Sequence, residues 1–390
     1  MNLLLIFVVL GFIDTDTQKF QVSPGNLTVI DTKPFGSCIQ HWRKLRSPDR
    51  FIIAQPNQPS YDPTQVNGII ENILLFQRNN GGWPKDYDMT AILTEDQRQQ
   101  VIATRHKQDT SFDNGNIHSQ VEYLAKAISQ VPASGWKLAC ERGFDFMLQA
   151  QYENGGFPQR FPDPSGYASH ITFNDGVTIG VLNVLHNAAI GAPHFEWLDF
   201  ARRSKAKQAV NKGIRCILKC QVRVDGELTG WCQQHDEVTY EPRPARTFEL
   251  ASLCPQDTTE IVNFLMRQAA PNEELIVAVD SAVTWLRTVQ ISGFRVERVT
   301  ATQASFPGYD TDKDVIVVAD LDAKPLWARH YEIGTNRPIF AGRDAVKRYA
   351  LAEIERERRV GTAWYGYWPQ KLIDQDHHKW RNGLSSNEDQ

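Results

Sequence analysis

Long apolar runs, excess positive charge and cysteine are all scarce in this chain of 390 residues. The one apolar run, residues 3–13, is too short to cross a bilayer as a helix, so helical membrane spans are excluded. Lys and Arg number 42 against 46 Asp and Glu, a formal charge of −4, whereas a general nucleic-acid binder is expected to be basic. Six cysteines are too few for a disulfide scaffold and permit several pairings that the sequence does not choose among. Cys216 and Cys220 share a helical face, but no second metal-spaced pair accompanies them, and buried thiols are the plain reading. Also missing are a Gly-rich phosphate loop, a zinc-protease helix and a Gly-x-Ser-x-Gly elbow. With 41% hydrophobic and 23% charged residues, the composition is that of a globular protein and excludes disordered, collagen-like and coiled-coil classes.

Aromatic residues are plentiful: 10 Trp, 11 Tyr and 19 Phe, many beside Gly or Pro. Such residues line sugar-binding clefts as well as cores. Several fall in a repeat. TQVNGIIENILLFQRNNGGWP (64–84) is a helix closed by an Asn-Gly-Gly stop, and CERGFDFMLQAQYENGGFP (140–158) repeats it. Gln77, Gly81, Gly82, Trp83 and Pro84 are echoed by Gln151, Gly155, Gly156, Phe157 and Pro158. Weaker copies place Gln221 before Gly230-Trp231, and Gln290 before Gly293-Phe294. A second helix lies in each period of about 70 residues: SFDNGNIHSQVEYLAKAI (111–128), TFNDGVTIGVLNVLHNAA (172–189) and PQDTTEIVNFLMRQA (255–269). Paired helices with a Gly-aromatic turn after one member predict a mainly α protein, an irregular α/α toroid. The β-branched runs GFRVERVTA (293–301) and DVIVVADLD (314–322), parted by Pro307-Gly308, read as a small inserted β-hairpin. The charges from Glu353 to Arg359 read as an exposed helix, and residues 374–390 as a polar, fraying tail.

In a helical toroid, equivalent helix starts point to one mouth. Asp113-Asn114 and Asn174-Asp175 would meet there as an all-oxygen ligand set suited to Ca²⁺. Helix capping needs only one residue of each pair. The Pro-broken loop 231–253 gathers His235, Asp236, Glu241, Arg243, Arg246 and Glu249, and a third cluster holds Arg329, Arg337 and Arg343. Oxygen ligands beside loop arginines suit an acidic substrate whose carboxylates are shared between a divalent cation and guanidinium forks.

NNGGWPKDYD, SFDNG, NGGFPQRFP, TFNDG, GWCQQHD with PARTFE, WARHYEIGTNRPIF with GRD, and AWYGYWPQKLI occur in that order over residues 64–373. The chain thereby resembles the family 10 pectate lyases. The resemblance implies one catalytic domain over residues 21–373, an α/α toroid, and calcium-assisted cleavage of polygalacturonate by β-elimination. It implies Asp113 and Asp175 as calcium ligands, with Asn114 positioning substrate or completing the site. The family's arginine base is matched by Arg246 in PARTFE, with Arg243 as second choice. Arg343, helped by Arg337, would bind the uronate carboxylate and stabilise the developing enolate. Lys85 and Asp86 are expected as substrate contacts, as are His235 and Asp236; Trp83 suits a subsite and a structural position equally. Leu250 stands where the family often has Pro, and CPQDTTEI replaces a Ser-Gly-rich stretch.

A free guanidinium is essentially always protonated. It accepts a proton only where neighbouring cations disfavour its charged form; otherwise it acts by position and charge. Both cases favour alkaline pH. Two other readings compete: an α/α-barrel glycoside hydrolase using Asp175 and Asp236 as acid and base, and a catalytically silent polyuronate-binding protein. An extracellular polymer as substrate favours a secreted or periplasmic protein with residues 1–20 as signal peptide, although no Lys or Arg precedes the apolar run and no small-x-small cleavage site follows it. A monomer is expected, with no nucleic-acid or membrane partner.

Overall fold

The repeated sequence becomes a repeated helix pair. The computed structural model describes residues 27–47 and 50–388, so the expected leader lies outside the described residues. Its helices are α1 (Gly36–Lys44), α2 (Val66–Phe76), α3 (Glu95–Ala103), α4 (His118–Gln130), α5 (Ser134–Ala150), α6 (Val177–Ala189), α7 (Phe200–Cys220), α8 (Pro255–Leu265), α9 (Glu273–Thr288), α10 (Arg356–Gly361) and α11 (His377–Glu388). The chain is mainly α, with small two-stranded sheets. Helices α4, α6 and α8 are successive neighbours, and each packs on its partner α5, α7 or α9. This is the two-layer order of an α/α toroid. Apolar stripes face inward, as in Val177, Val181, Leu182 and Leu185 of α6, and join one continuous core. Among the described residues no helix is long and apolar enough to cross a membrane.

The repeated glutamines hold these layers together. Gln77 Nε2 donates to the Gly81 carbonyl at 2.9 Å and to Ala139 of α5 at 2.9 Å. Gln151 reaches Gly155 at 3.0 Å and Ala209 of α7 at 2.9 Å. Gln221 reaches Thr229 at 2.8 Å and Ala278 of α9 at 2.9 Å. Each amide therefore closes its own turn and fastens it to the next helix of the same layer. The indoles of Trp83 and Trp231 then donate back to Ile73 and Ile217 of the helix just ended. Trp83 is fully buried, which decides for its structural reading.

The fourth copy departs from the Gly293-Phe294 expectation. There Ile291 pairs with Leu326, and Trp327 donates to Leu286 of α9, as Trp83 and Trp231 do in their turns. The expected hairpin, Phe294–Ser305 paired antiparallel with Asp310–Ala319, is inserted into this turn and displaces its aromatic by more than thirty residues. Two further expectations are corrected. The charged run near residue 357 is not an exposed helix: Glu357 and Arg358 of α10 are each only 7% exposed. The stretch after Ile373 continues as α11, where His377 meets Asp280 of α9 at 2.7 Å. All six cysteines are free and buried, as the plain reading had it.

Gly155 has φ +100°, and a Cβ there would lie 2.1 Å from the Lys212 carbonyl of α7. Gly155→Ala should cost more than about 2 kcal/mol in denaturant unfolding. Gly308→Ala, where a Cβ meets nothing within 4 Å, should stay within about 0.5 kcal/mol. Equal effects at the two positions would defeat this account of the turn.

Candidate active site

Short backbone ladders carry each Gly-aromatic turn across to the helix starts. Ser111 N donates to Trp83 O, and Phe112 N to Gln159 O. Thr172 N donates to Phe157 O, and Phe173 N to Gln233 O. The Asp113–Gly115 and Asn174–Gly176 turns are thus each held between consecutive repeats, and they lie side by side. Both have their middle residue in the left-handed region: Asn114 at φ 59°, ψ 34° and Asp175 at φ 55°, ψ 26°. Asn and Asp are the side-chain-bearing residues that best tolerate this conformation. The turns match in backbone but exchange chemistry, with carboxylate before carboxamide in the first and the reverse in the second. Asp113 and Asp175 consequently meet from non-equivalent positions.

Their carboxyls are in hydrogen-bond contact. Asp113 also accepts from Lys85 Nζ at 2.7 Å and from Gln159 Nε2 at 2.9 Å. Burial opposes its charge, but Lys85 overrides this and lowers its pKa to about 2. Asp175 is pushed the other way, well above the usual carboxylate range, first by burial and then by the charge of Asp113. The contact therefore favours a proton on Asp175 and disfavours a second negative charge beside Asp113. Asn114 Nδ2 contacts Asp86 Oδ1 and His41 Nδ1, each at 2.9 Å, and Lys85 also lies 3.6 Å from Asp86.

Arg246 adds positive charge beside both aspartates. Glu249, itself 6% exposed, takes its Nε at 2.7 Å and its Nη2 at 2.5 Å. Burial works against the guanidinium charge, but Glu249, Asp175 and Asp113 more than offset it and hold the pKa above its ordinary value. Arg343 is built alike, with Nε 3.0 Å and Nη2 2.8 Å from Glu357. The Phe248 ring joins the two arrangements: Arg246, Arg343 and Arg358 lie 4.8, 5.4 and 4.4 Å from its centroid. Arg329 donates to Asn174 Oδ1 and Gln256 Oε1 at 3.1 Å each and acts by its charge on Asp175.

A sequence model of the pectic acid lyases matches residues 77–373, more than half of the chain. The chain belongs to the pectic acid lyase family. Two solved structures of a family 10 polysaccharide lyase from Cellvibrio cellulosa, one of them a point mutant in complex with trigalacturonic acid, are each 28% identical with a TM-score of 0.65. The match covers 80% of this chain and 95% and 94% of theirs. No curated protein matches the chain. This pectic acid lyase is therefore an enzyme of the polysaccharide lyase type.

Asp113, Asp175, Asn114, Lys85, Asp86 and Arg246 form one connected cluster in the lyase, and Phe248 links Arg343 to it. Other expected residues stand apart. His235 is fully buried, accepting from Cys232 N at 3.1 Å while its Nδ1 faces Tyr240 O at 2.8 Å. It shapes the loop and is not available to substrate. Asp236 pairs with Arg243 at 2.8 Å and caps the turn at Val238 and Thr239; these bonds hold its carboxyl far below the usual range. A carboxyl so firmly ionised does not suit the acid of the competing hydrolase. Arg337 stacks on Tyr349 at 3.7 Å. Glu357 and Gln159 were not singled out from the sequence. Glu357 was hidden in an alternating charge run, and Gln159 carried no signal beyond following the NGGFP turn.

Burial lowers the His235 pKa from 6.5 to about 4. A neutral imidazole in the folded state contributes stability that is whole above pH 6.5 and is lost as pH falls from there toward 4. Its ring resonances should accordingly stay unshifted from about pH 8 to about pH 5. A midpoint near 6.5 would place His235 in open solvent and overturn this assignment.

Proposed function

We propose that the enzyme is a pectate lyase that cleaves α-1,4-polygalacturonate by β-elimination, leaving 4,5-unsaturated oligogalacturonates. The observation that carries this reading is the meeting of two carboxylates and Arg246 in one cluster of a pectic acid lyase fold. The trigalacturonic acid bound to the similar Cellvibrio cellulosa enzyme supports the substrate class.

Two aspartates forced into contact, one of them pushed toward its protonated form, fit a divalent cation. The donors are oxygens, as Ca²⁺ prefers. Among the described residues no set of three His, Cys, Asp or Glu side chains gathers for a metal. Asp113 and Asp175 would therefore be the protein's share of the shell, completed by water and substrate carboxylate. When bound, calcium would neutralise the uronate carboxylate and so acidify the hydrogen on C5.

Arg246 is the base in this reading. Glu249 holds the Nε–Nη2 edge, which fixes the guanidinium plane and leaves Nη1 outside the fork. Once Arg246 has given up a proton to solvent, the neutral guanidine takes the C5 proton there. The electrons left on C5 form the C4–C5 double bond, and the C4–O4 bond breaks with O4 as the leaving group. The two aspartates and Glu249 keep Arg246 protonated at rest. Neutralising the aspartates would remove part of that support, the direction a base requires. Glu357 likewise holds Arg343 by its Nε–Nη2 edge and leaves Nη1 for the substrate carboxylate and the charge that grows on it. Lys85 and Asp86, both bonded to the Asp113–Gly115 turn, are substrate contacts. Such a substrate lies outside the cell, which favours export.

Polygalacturonate digestion followed by the ultraviolet absorbance of the unsaturated product tests the whole. Absorbance should rise with calcium and vanish with chelator. Arg246→Ala should lower kcat at least about 1,000-fold while calcium-dependent substrate binding persists. New reducing ends without absorbance would establish a hydrolase instead, and retained turnover in Arg246→Ala would remove that residue as base.

A further inference from the structure

Helix α7 has a charge composition unlike the rest of the protein. Its 21 residues include seven Lys or Arg and no Asp or Glu, in a chain whose net charge is −4. Arg202 alone among these cations is ion-paired in the described structure, taking Glu141, Asp145 and Asp199. Lys205, Lys212 and Lys219 recur every seventh residue and are all exposed. At 1.5 Å per residue they lie along one line about 20 Å long. Exposed Gln208 and Arg215 fall within the same narrow face. The opposite face, with Ala206, Val210, Gly213 and Ile217, is buried in the core. The cations thus form a ridge on the outside of the helix layer, bordered at its Lys205 end by Asp145 and Asp199.

The ridge ends beside an aromatic ring. Lys219 Nζ lies 5.1 Å from the Tyr240 ring centroid. From Tyr240 the chain passes Arg243 and reaches Arg246 within six residues, so the last turn of the ridge adjoins the loop that carries the proposed base.

We infer that the outer face of α7 is a second binding site, outside the catalytic cluster, for a polyuronate chain. Every sugar of such a polymer carries a carboxylate, so a line of unpaired cations attracts it without requiring one register. Tyr240 offers an apolar face on which a sugar ring can rest. The site would hold long polymer near the cleft and be out of reach of a trimer bound there. The inference rests on the pectate lyase reading for its choice of ligand.

The full chain carrying Lys205→Gln, Lys212→Gln and Lys219→Gln provides the test, with Lys→Arg at the same three positions keeping the charge. Retardation in native gels containing polygalacturonate is read in chelator, where no turnover occurs. The Gln variant should bind polymer about five- to tenfold more weakly, given the modest strength of each exposed charge contact, and the Arg variant should bind like wild type. In turnover assays KM for polygalacturonate should rise by a similar factor, with kcat unchanged and trigalacturonate kinetics untouched. Unchanged retardation of the Gln variant, an equal loss toward trigalacturonate, or equally tight binding of duplex DNA or fully methyl-esterified polymer would each overturn the inference. If wild type yields no unsaturated product from either substrate, the assigned reaction fails, and the retardation result still decides the ridge.

Discussion

A glutamine amide used three times sets the geometry on which everything else depends. Its two N–H groups point in fixed directions, and each of Gln77, Gln151 and Gln221 spends one on its own turn and one on a carbonyl of the next helix in the layer. Without that side chain, two buried carbonyls per turn would lose their donor, a desolvation cost of about 1–3 kcal/mol each. Satisfying both brings turn and helix so close that no Cβ fits at Gly81 or Gly155. The indoles of Trp83, Trp231 and Trp327 bond back to the preceding helix and set the direction in which the chain leaves. Consecutive repeats therefore deliver their ladders, and the helix starts between them, to the same end of the molecule.

At that end, like charges are pressed together and opposite charges assembled round them. Asp113 and Asp175 touch, while Lys85, Arg246 and Arg329 act on one or both of them. Glu249 and Glu357 are buried to the same purpose, each orienting an arginine by its Nε–Nη2 edge. A guanidinium gripped on one edge keeps its direction without immobilising substrate at rest. The near-balance of the composition conceals this: carboxylates and guanidiniums are gathered here in direct contact, while cations without ion-pair partners among the described residues stand on α7.

Much of the fold was legible because its determinants are local. Helical periodicity, the Gly-Gly stops and the spacing of Gln and aromatic residues are written within short windows and carried the paired helices, as two β-branched runs parted by Pro307-Gly308 carried the hairpin. The fourth turn misled because an insertion separates Ile291 from Leu326, so its aromatic was sought next to Gly293 and stands at Trp327. The paired aspartates were legible because they sit on repeated motifs. His235 was not, since sequence density in a loop says nothing about which side chains turn inward, and Cys232 N with Tyr240 O claim both of its nitrogens. The burial of Glu357 depends on Arg343 and Arg358 reaching it, a contact no local pattern encodes.

The two turns show how a duplicated framework can make an asymmetric site. Had both read Asp-Asn-Gly, their side chains would have presented like groups at like positions, and the left-handed residue would have been an amide in each. Exchanging the order in the second turn puts Asp175 at the left-handed position, while Asp113 precedes it in the first. Asn174 is then free to bond Asp175 at 2.8 Å and to accept from Gln233 and Arg329, whereas Asn114, likewise buried, bonds His41 and Asp86 instead. One carboxylate consequently lies among lysine and amide donors and stays ionised, and the other is left to respond to what enters the site. A swap of two neighbouring residues, on a backbone that is otherwise repeated, is enough to separate their electrostatic environments.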